Sequence, residues 1–445
     1  MFVETMHWII QLIFPRGTRR NFFAFIVAEC FRFPNKISCI ATGLARRKRL
    51  YVKLPLSTFG NGVPLLFVDD YVPDPRIGAG APRTWQILKV LVEKGFRVTF
   101  FPLVRKTGFA TSLGYFADMG VEILYGETSE NCPILTSLLH YRKDHYQVIV
   151  ISRPTNMKVF HNVIRRYQRN AKLVYDAEAV FATRTILHRS LLGKPLSRKK
   201  QTKLVAQELL LASKADAVLA VSEKDADLFR SHGCNSTYIL RHIVSVTPAR
   251  APCAERNGIL FVGSLLHSPS PNEDAVLYFL SEILPIIRSE IDVNFTIVGQ
   301  IAPRRIHLYQ SKFVRLAGVV DDLSPFYNSS RIFVAPTRYA AGVPLKVYDA
   351  AANGLPCVAT PLLCSQLGWK SDQEILCGDT PEAFARSCIR LYTDSVLWNR
   401  IRETAISRVR KDCDPVFFSQ QLETAVASNP RPQLKVIRPS PRGAP

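Results

Sequence analysis

The stretch RIFVAPTRYAAGVPLKVYDAAANGLPCVAT, residues 331–360, decides the fold, and it reads as strand, loop, helix, strand. Ile332 to Ala335 is a short apolar β run closed by Pro336. A loop follows with Arg338, Tyr339, Ala340, Ala341 and Gly342. Pro344 suits the first helical position, where its missing N–H is no loss. Gly354 ends the helix, and Pro356 to Thr360 read as the next strand. Such a helix start points free backbone N–H groups into a loop at the carboxyl end of a parallel strand. Open α/β sheets hold ligands there, and helix N-termini favour anions. Lys346 and Asp349 are three apart and share one helix face. Beside an anion site the pair suits a sugar nucleotide, with Lys346 for a phosphate and Asp349 for a ribose diol. The same spacing also describes a surface ion pair on an ordinary βαβ helix.

Working outward, the alternation continues in both directions. Upstream, PLLFVDD (64–70), RVTFFP (97–102), VEILY (121–125), QVIVIS (147–152), KLVYDA (172–177), DAVLAVS (216–222) and TYIL (237–240) read as strands, with helical segments between most of them. A helix is expected from about Thr84 to Lys94, stopped by Gly95. Residues 241–257 carry Pro and Ala with weak periodicity and read as the interdomain connection. A second series then starts with GILFVGS (258–264), a long helix from Asn272 to about Ser289, NFTIVGQ (294–300) and FVRLAG (313–318). Strands alternating with helices mean a mainly parallel sheet covered on both faces. The expected division is a basic, apolar extension over 1–60, a first Rossmann-like domain over 61–245, a second over 246–428 and a disordered tail over 429–445. The segment 415–427 reads as a terminal helix able to pack back on the first domain.

Composition bounds these readings. At 445 residues the chain is too long for one ordinary core, and two domains of roughly 200 residues fit it. The net charge is +22, and the two ends, 1–60 and 429–445, carry +12 of it. Within 1–60, Trp8, Ile9, Ile10, Leu12, Ile13 and Phe14 precede Arg16, Arg19 and Arg20, which suits a helix on an anionic membrane face. It also describes a helical extension packed on the first domain with its basic face in water. The ten cysteines form no CxxC pair and no zinc spacing, and several, such as Cys357, lie in apolar runs where a free buried thiol is expected. This points to a reducing cytoplasm. No apolar run reaches the roughly 18 residues of a spanning helix, and the start makes a poor signal peptide. Charge alone, with no recognition motif, gives no reason to expect nucleic acid.

Three glycine sites of the second half fall at strand ends on one sheet edge: Gly263-Ser264, Gly299 and the loop holding Gly342. Glycine lets a ligand approach backbone, and such loops can cradle phosphate. None is a P-loop and none is a GxGxxG, so a nicotinamide-dependent dehydrogenase loses its main support. In the first half, Asp176, Glu178 and Arg184 are candidates. A carboxylate there could orient an acceptor hydroxyl or take its proton, or cap a turn. Arg184 could meet an acceptor or a donor phosphate. Asp69 and Asp70 end the first strand in either a turn or a substrate contact. Arg83 could meet phosphate or be solvated, and His267 lies in the loop after Gly263.

The segments FVGSLLHSPSPNEDA (261–275), FTIVGQ (295–300) and residues 316–360, in that order, resemble the nucleotide-sugar domain of family 4 glycosyltransferases. Residues 65–102 and VYDAEAVFATR (174–184) resemble the other domain of those enzymes more loosely. The resemblance implies an α/β fold of GT-B type, two Rossmann-like doubly wound domains facing across a cleft. It implies a retaining, metal-independent glycosyltransferase that moves a sugar from a nucleotide-diphosphate donor to a saccharide or lipid-linked acceptor. Such a protein would work in cell-surface polysaccharide synthesis, in the cytoplasm at the inner face of a membrane. No cofactor would be bound permanently, and the nucleotide sugar is a co-substrate. By the same resemblance, Gly318, Val319 and Val320 contact the base through backbone. Gly342 and Val343 present N–H groups to the diphosphate with Lys346 close by, and Asp349 holds the ribose. Gly78 and Gly80 approach the donor from the first domain. Gly263, Ser264, His267, Gly299 and Arg338 complete the donor side, and Asp176, Glu178 and Lys346 are the catalytic candidates.

Two departures stand out. The first glutamate of the family's E-x7-E pattern falls on Ala341, and the second is Asp349, one methylene shorter. The arginine often found just after the domain's first strand is also missing, since Ser264 follows Gly263. Backbone N–H groups, Arg338 and Lys346 would then meet the charge of a leaving diphosphate. A GT-B fold that binds without catalysing, and a nucleotide-sugar epimerase, are the alternatives.

Overall fold

A computed structural model of the chain describes residues 50–53, 62–74, 80–104, 116, 119–126, 132–266, 268–302, 304–307 and 309–427. The readings made for most of the N-terminal extension, for the C-terminal tail and for Gly78 and His267 fall outside the described residues.

The first sheet has eight strands: β1 (Leu50–Lys53), β2 (Val63–Asp69), β3 (Phe96–Pro102), β4 (Glu122–Gly126), β5 (Val148–Ser152), β6 (Lys172–Glu178), β7 (Ala217–Ala220) and β8 (Thr237–Ile239). Its order is β1-β4-β3-β2-β5-β6-β7-β8. All pairs are parallel except β1 with β4. β1 lies inside the segment expected to be a separate extension, so the sheet begins earlier than the sequence suggests. Leu65, Leu66, Phe67 and Val68 on β2 are wholly buried, as a parallel sheet covered on both faces requires. Each such side chain contributes about 1.5–3 kcal/mol. The covering helices are α1 (Gly80–Glu93), α2 (Cys132–Tyr141), α3 (Pro154–Tyr167), α4 (Phe181–Leu191), α5 (Arg198–Ala212) and α6 (Glu223–Ser231). α1 starts four residues before the expected Thr84 and stops at Gly95, whose φ is 81°. Strand order reverses between β2 and β5, which opens a crevice at their carboxyl ends.

The second sheet, in the order β11-β10-β9-β12-β13-β14, is parallel throughout. Its strands are β9 (Ile259–Val262), β10 (Phe295–Val298), β11 (Val314–Gly318), β12 (Ile332–Ala335), β13 (Cys357–Ala359) and β14 (Leu376–Cys377). The reversal here lies between β9 and β12. Its helices are α7 (Pro271–Tyr278), α8 (Leu284–Glu290), α9 (Arg304–His307), α10 (Ser324–Ser329), α11 (Leu345–Ala352), α12 (Pro361–Leu367), α13 (Pro381–Thr393) and α14 (Ser395–Asp412). α7 and α8 form one continuous rod through a π-helical stretch, Phe279–Ile283. The looser turn falls just before Pro285, which has no N–H to give the helix.

The chain crosses between the domains twice. After β8, α1 holds the connection: Arg83 Nε donates to the Leu240 carbonyl at 2.8 Å, and Gln86 makes two bonds to the backbone of Ile243. The second domain takes over at Thr247 and Ala249, whose N–H groups donate to Ala352 and Asn353. Then α15 (Pro415–Val426) returns, capped by Asp414, and buries Phe418, Leu422, Ala425 and Val426 in the first domain's core. That helix therefore packs with the first sheet, although the expected boundary at 428 assigns it to the second domain.

The described residues include one departure in cysteine chemistry. Cys364 and Cys377 face one another across a Cα separation of 7.2 Å, a pairing the sequence reading did not anticipate. Cys234, Cys253, Cys357, Cys388 and Cys413 are free and buried. No helix among the described residues is long and apolar enough to cross a membrane.

Candidate active site

The second domain builds its side of the cleft from the turns that leave β9, β10, β11 and β12. Gly263 N–H donates to the Val298 carbonyl at 2.9 Å, and Gly299 N–H donates to the Gly318 carbonyl at 2.8 Å. A Cβ on Gly299, where φ is 136°, would stand 2.2 Å from the Gly263 carbonyl oxygen. The turns therefore stack backbone on backbone, and only glycine permits it. Asn272 on α7 ties this stack to α11. Its Nδ2 donates to the Ser264 carbonyl at 2.9 Å, and its Oδ1 accepts from Lys346 Nζ. The Lys346 ammonium also lies 4.5 Å above the centre of the Phe261 ring. Burial lowers the Lys346 pKa to about 7 and raises that of Asp349 to about 7.

Burial alone causes both shifts, so Lys346 and Asp349 do not neutralise one another. The surface ion pair that their spacing also allowed is not formed. Asp349 acts instead on Tyr327 of α10, whose hydroxyl is pushed well above its usual value by burial and then by the Asp349 charge. The Tyr327 hydroxyl has no hydrogen-bond partner among the described residues. Pro344 precedes the helix as its N-cap, one position earlier than expected, and Val343 is buried beside it. Of the backbone turn after β11, Val320 packs into the core while Val319 is exposed.

The first domain brings acid to the facing edge. Glu178 ends β6 at a bulge with φ 56°, and Arg153 leaves β5 with φ 77°. Both are left-handed positions that side chains rarely adopt, and such strain concentrates at functional sites. Arg153 Nε lies 2.9 Å from Asp69 Oδ1 and 3.5 Å from Asp70 Oδ2, and its Nη2 lies 3.5 Å from Glu178 Oε1. Burial raises the pKa of Glu178; Arg153 opposes that, while Asp176 and Asp69 add to it. Asp69 is raised in the same way, by burial first. Gly80, at the start of α1, leaves room for this cluster, since a Cβ there would stand 3.3 Å from Glu178 Oε1.

Three residues named from the sequence already have partners of their own here. Asp176, a catalytic candidate, is 0% exposed and locked at 2.8 Å to Arg83, itself 1% exposed, with Ser152 Oγ donating to it at 3.1 Å. It forms a buried ion pair, and Arg83 is neither solvated nor free for phosphate. Arg338 is likewise not a free cation: it makes a two-pronged contact with Asp274, at 2.6 and 3.0 Å, and lies over Tyr278.

The two edges touch. A Cβ on Gly342 would lie 3.4 Å from Ala179 Cβ and 3.5 Å from Val221 Cγ2, which brings the loop after β12 beside the residue following Glu178. His188 of α4 stacks on Tyr339 with ring centres 4.4 Å apart. Lys224 Nζ donates to Ser365 Oγ at 3.2 Å. Arg184 is part-buried in the same corner, where its charge acts on Tyr339 and His188. Gly263, Ser264, Gly299, Gly318 and Lys346 thus gather on one edge, and Gly80 and Glu178 on the other. Sequence reasoning missed Arg153 and Asn272. Arg153 had a usable signal, a charged residue between an apolar strand and the helix-opening Pro154.

Residues 256–394 match the family model described as glycosyl transferases group 1. An uncharacterized 44.6 kDa protein in the cps region of Klebsiella pneumoniae is 25% identical over 167 residues. That match covers 35% of this chain and 42% of the relative's length. Among solved structures, Anabaena HepE in complex with UDP and glucose is similar with a TM-score of 0.61 at 14% identity, over 80% of this chain and 97% of that one. Sucrose-phosphate synthase from Thermosynechococcus elongatus gives 0.62 at 14% identity, over 81% and 97%. TarM gives 0.64 at 9% identity, over 83% and 99%. The architecture is GT-B: two Rossmann-like domains, each with its strand-order reversal at the cleft.

Proposed function

We propose that the protein is a glycosyltransferase that takes a nucleotide-diphosphate sugar in its second domain and an acceptor against its first. The observation that carries this is Lys346, half-buried in the first turn of α11 beside stacked glycine turns, with no carboxylate among the described residues to neutralise it. A cation held this way, with the backbone N–H groups near Gly342 and Val343, is suited to negative charge growing on a leaving diphosphate. Asp349 is suited to a ribose diol, Gly318 to Val320 to a base, and Ser264 and Arg184 to the donor's outer groups. Glu178 is the carboxylate on the acceptor side, able to orient a hydroxyl or take its proton. The resemblance of residues 261–360 supports transfer with retention and without a bound metal. The match to a cps-region protein supports a saccharide or lipid-linked acceptor in cell-surface polysaccharide synthesis. The basic, apolar residues 1–60 support work at the cytoplasmic face of a membrane.

The test is binding and turnover of a panel of nucleotide sugars by the purified protein. UDP-sugars come first, because Anabaena HepE was crystallised with UDP-glucose. Lys346→Ala should lose donor binding by about 10²-fold or more. Unchanged binding in that variant would refute the site. One observation favours a second reading, a GT-B subunit that binds without catalysing: Ala341 stands where the family carries a glutamate. Donor binding by calorimetry with no turnover on any acceptor would select it.

A further inference from the structure

We infer that the α4–α5 hairpin is a docking surface for an anionic lipid bilayer, separate from the basic N-terminal residues. From Ala179 to Gln207 the chain has no acidic residue and seven basic ones: Arg184, Arg189, Lys194, Arg198, Lys199, Lys200 and Lys203. All but Arg184 are exposed, and none of those six side chains is in an ion pair among the described residues. Some basic side chains elsewhere are answered, as in Arg142 with Glu122, Arg165 with Asp216 and Arg408 with Asp412. The first acid after the stretch, Glu208, is buried, and its carboxylate accepts the N–H groups of Phe181 and Ala182 at 2.8 and 2.7 Å. It joins the two helices and leaves the outer charge unopposed.

At the tip, Leu191 is 42% exposed and Leu192 is 60% exposed, beside Gly193, Lys194 and Pro195. Adjacent leucines held in water among lysines match the two layers of a bilayer surface, acyl chain beneath and anionic headgroup above. A nucleic acid would want stacking rings, and residues 189–203 contain none. The hairpin also opens at the cleft: α4 starts three residues after Glu178, and its His188 stacks on Tyr339. Docking this tip would hold the cleft mouth near the membrane. The docking stands without the transfer reading; only the advantage to a lipid-linked acceptor rests on it.

The experiment is co-sedimentation of the full chain with vesicles of phosphatidylcholine alone or with phosphatidylglycerol as the minor component. Two variants are compared: Lys199→Gln/Lys200→Gln/Lys203→Gln and Leu191→Ser/Leu192→Ser. The wild type should bind only the anionic vesicles. The charge variant should bind them roughly a hundredfold more weakly, and the leucine variant about tenfold more weakly. Donor hydrolysis measured without lipid should be unchanged in both, so a failed transfer reading would not imitate a failed docking. Heparin binding should fall in the charge variant and stay intact in the leucine variant. Full vesicle binding by both variants would overturn the inference and leave residues 1–60 as the attachment. So would a leucine variant that binds vesicles like the wild type while the charge variant loses vesicles and heparin alike, which marks a site for a soluble polyanion.

Discussion

At the carboxyl edge of the first sheet three carboxylates, Asp69, Asp70 and Glu178, crowd round Arg153. At the matching edge of the second sheet, Lys346 and Asp349 are half-buried, with no opposite charge among the described residues answering either. The first edge has a cation of its own among its acids, and its strain sits in two left-handed residues, Arg153 and Glu178. The second is unfinished. Its glycine turns, its lysine and its aspartate become favourable only when something anionic with hydroxyl groups lies among them. On the proposed function, the second domain would be stabilised by its donor, and the first would hold a preset carboxylate for the acceptor. Unanswered buried charge is a cost that proteins carry where a ligand removes it.

The sharpest way to break the contrast is to take the charge from the preset side. Glu178→Gln keeps the shape and should lower turnover by about 10²–10⁴-fold, with donor affinity by calorimetry close to wild type. If donor affinity falls instead while turnover per bound donor persists, Glu178 belongs to the donor side and the division fails. Next in size is the unfinished side's scaffold. Gly299→Ala puts a Cβ against the Gly263 carbonyl at a φ of 136°. It should cost about 2–4 kcal/mol of stability in chemical denaturation. A cost below 0.5 kcal/mol would mean the stacked turns are loose and cannot hold a diphosphate firmly.

A smaller effect should appear in the pH dependence of donor affinity. In the empty site Lys346 loses its proton near pH 7. A nucleotide sugar's diphosphate keeps its charge through this range and draws the lysine's proton back. Binding therefore takes up a proton above pH 7, and affinity should fall by up to about tenfold per pH unit there. The Lys346→Ala variant should lose this fall, leaving only what Asp349, which titrates near the same pH, contributes. A flat profile in the wild type would mean that the lysine faces something other than the phosphates.

How much of this was legible in the sequence differs between the edges. The strands β2 to β13 appear in the sequence as apolar runs, because a sheet covered on both faces needs them; β14, with two residues, is too short to leave a pattern. β1 was hidden because a four-residue edge strand reads like its basic neighbours. On the second domain's edge the placement of Gly263, Gly299, Gly342, Lys346 and Asp349 at strand ends and the helix start was legible, since local strand–turn–helix chemistry fixes each. On the first domain's edge the sequence offered Asp176 and Glu178 as equals. Only the fold separates them: the bulge at the end of β6 turns Glu178 toward Gly80, while Asp176 points under the sheet edge to Arg83, 93 residues away in sequence. Pairings of that range, like Arg338 with Asp274 at 64, leave no local trace.

The smallest effect tests the unfinished edge through stability alone. Lys346 has a folded pKa near 7 against 10.5 in a free chain, so its burial costs most below pH 7 and the cost fades as pH rises toward 10. Asp349 has a folded pKa near 7 against 3.8, so its cost is full above pH 7 and fades as pH falls toward 4. Lys346→Met should therefore stabilise the ligand-free protein at pH 6 and hardly at pH 10. Asp349→Asn should stabilise it at pH 8 and hardly at pH 4. Each gain should be about 0.5–2 kcal/mol at its better pH. Saturating nucleotide sugar should abolish both gains, because the wild-type groups are then answered and the variants bind poorly. Variants that destabilise the empty protein at every pH would show that Lys346 and Asp349 hold the fold itself, and the two edges of the cleft would then differ in degree rather than in kind.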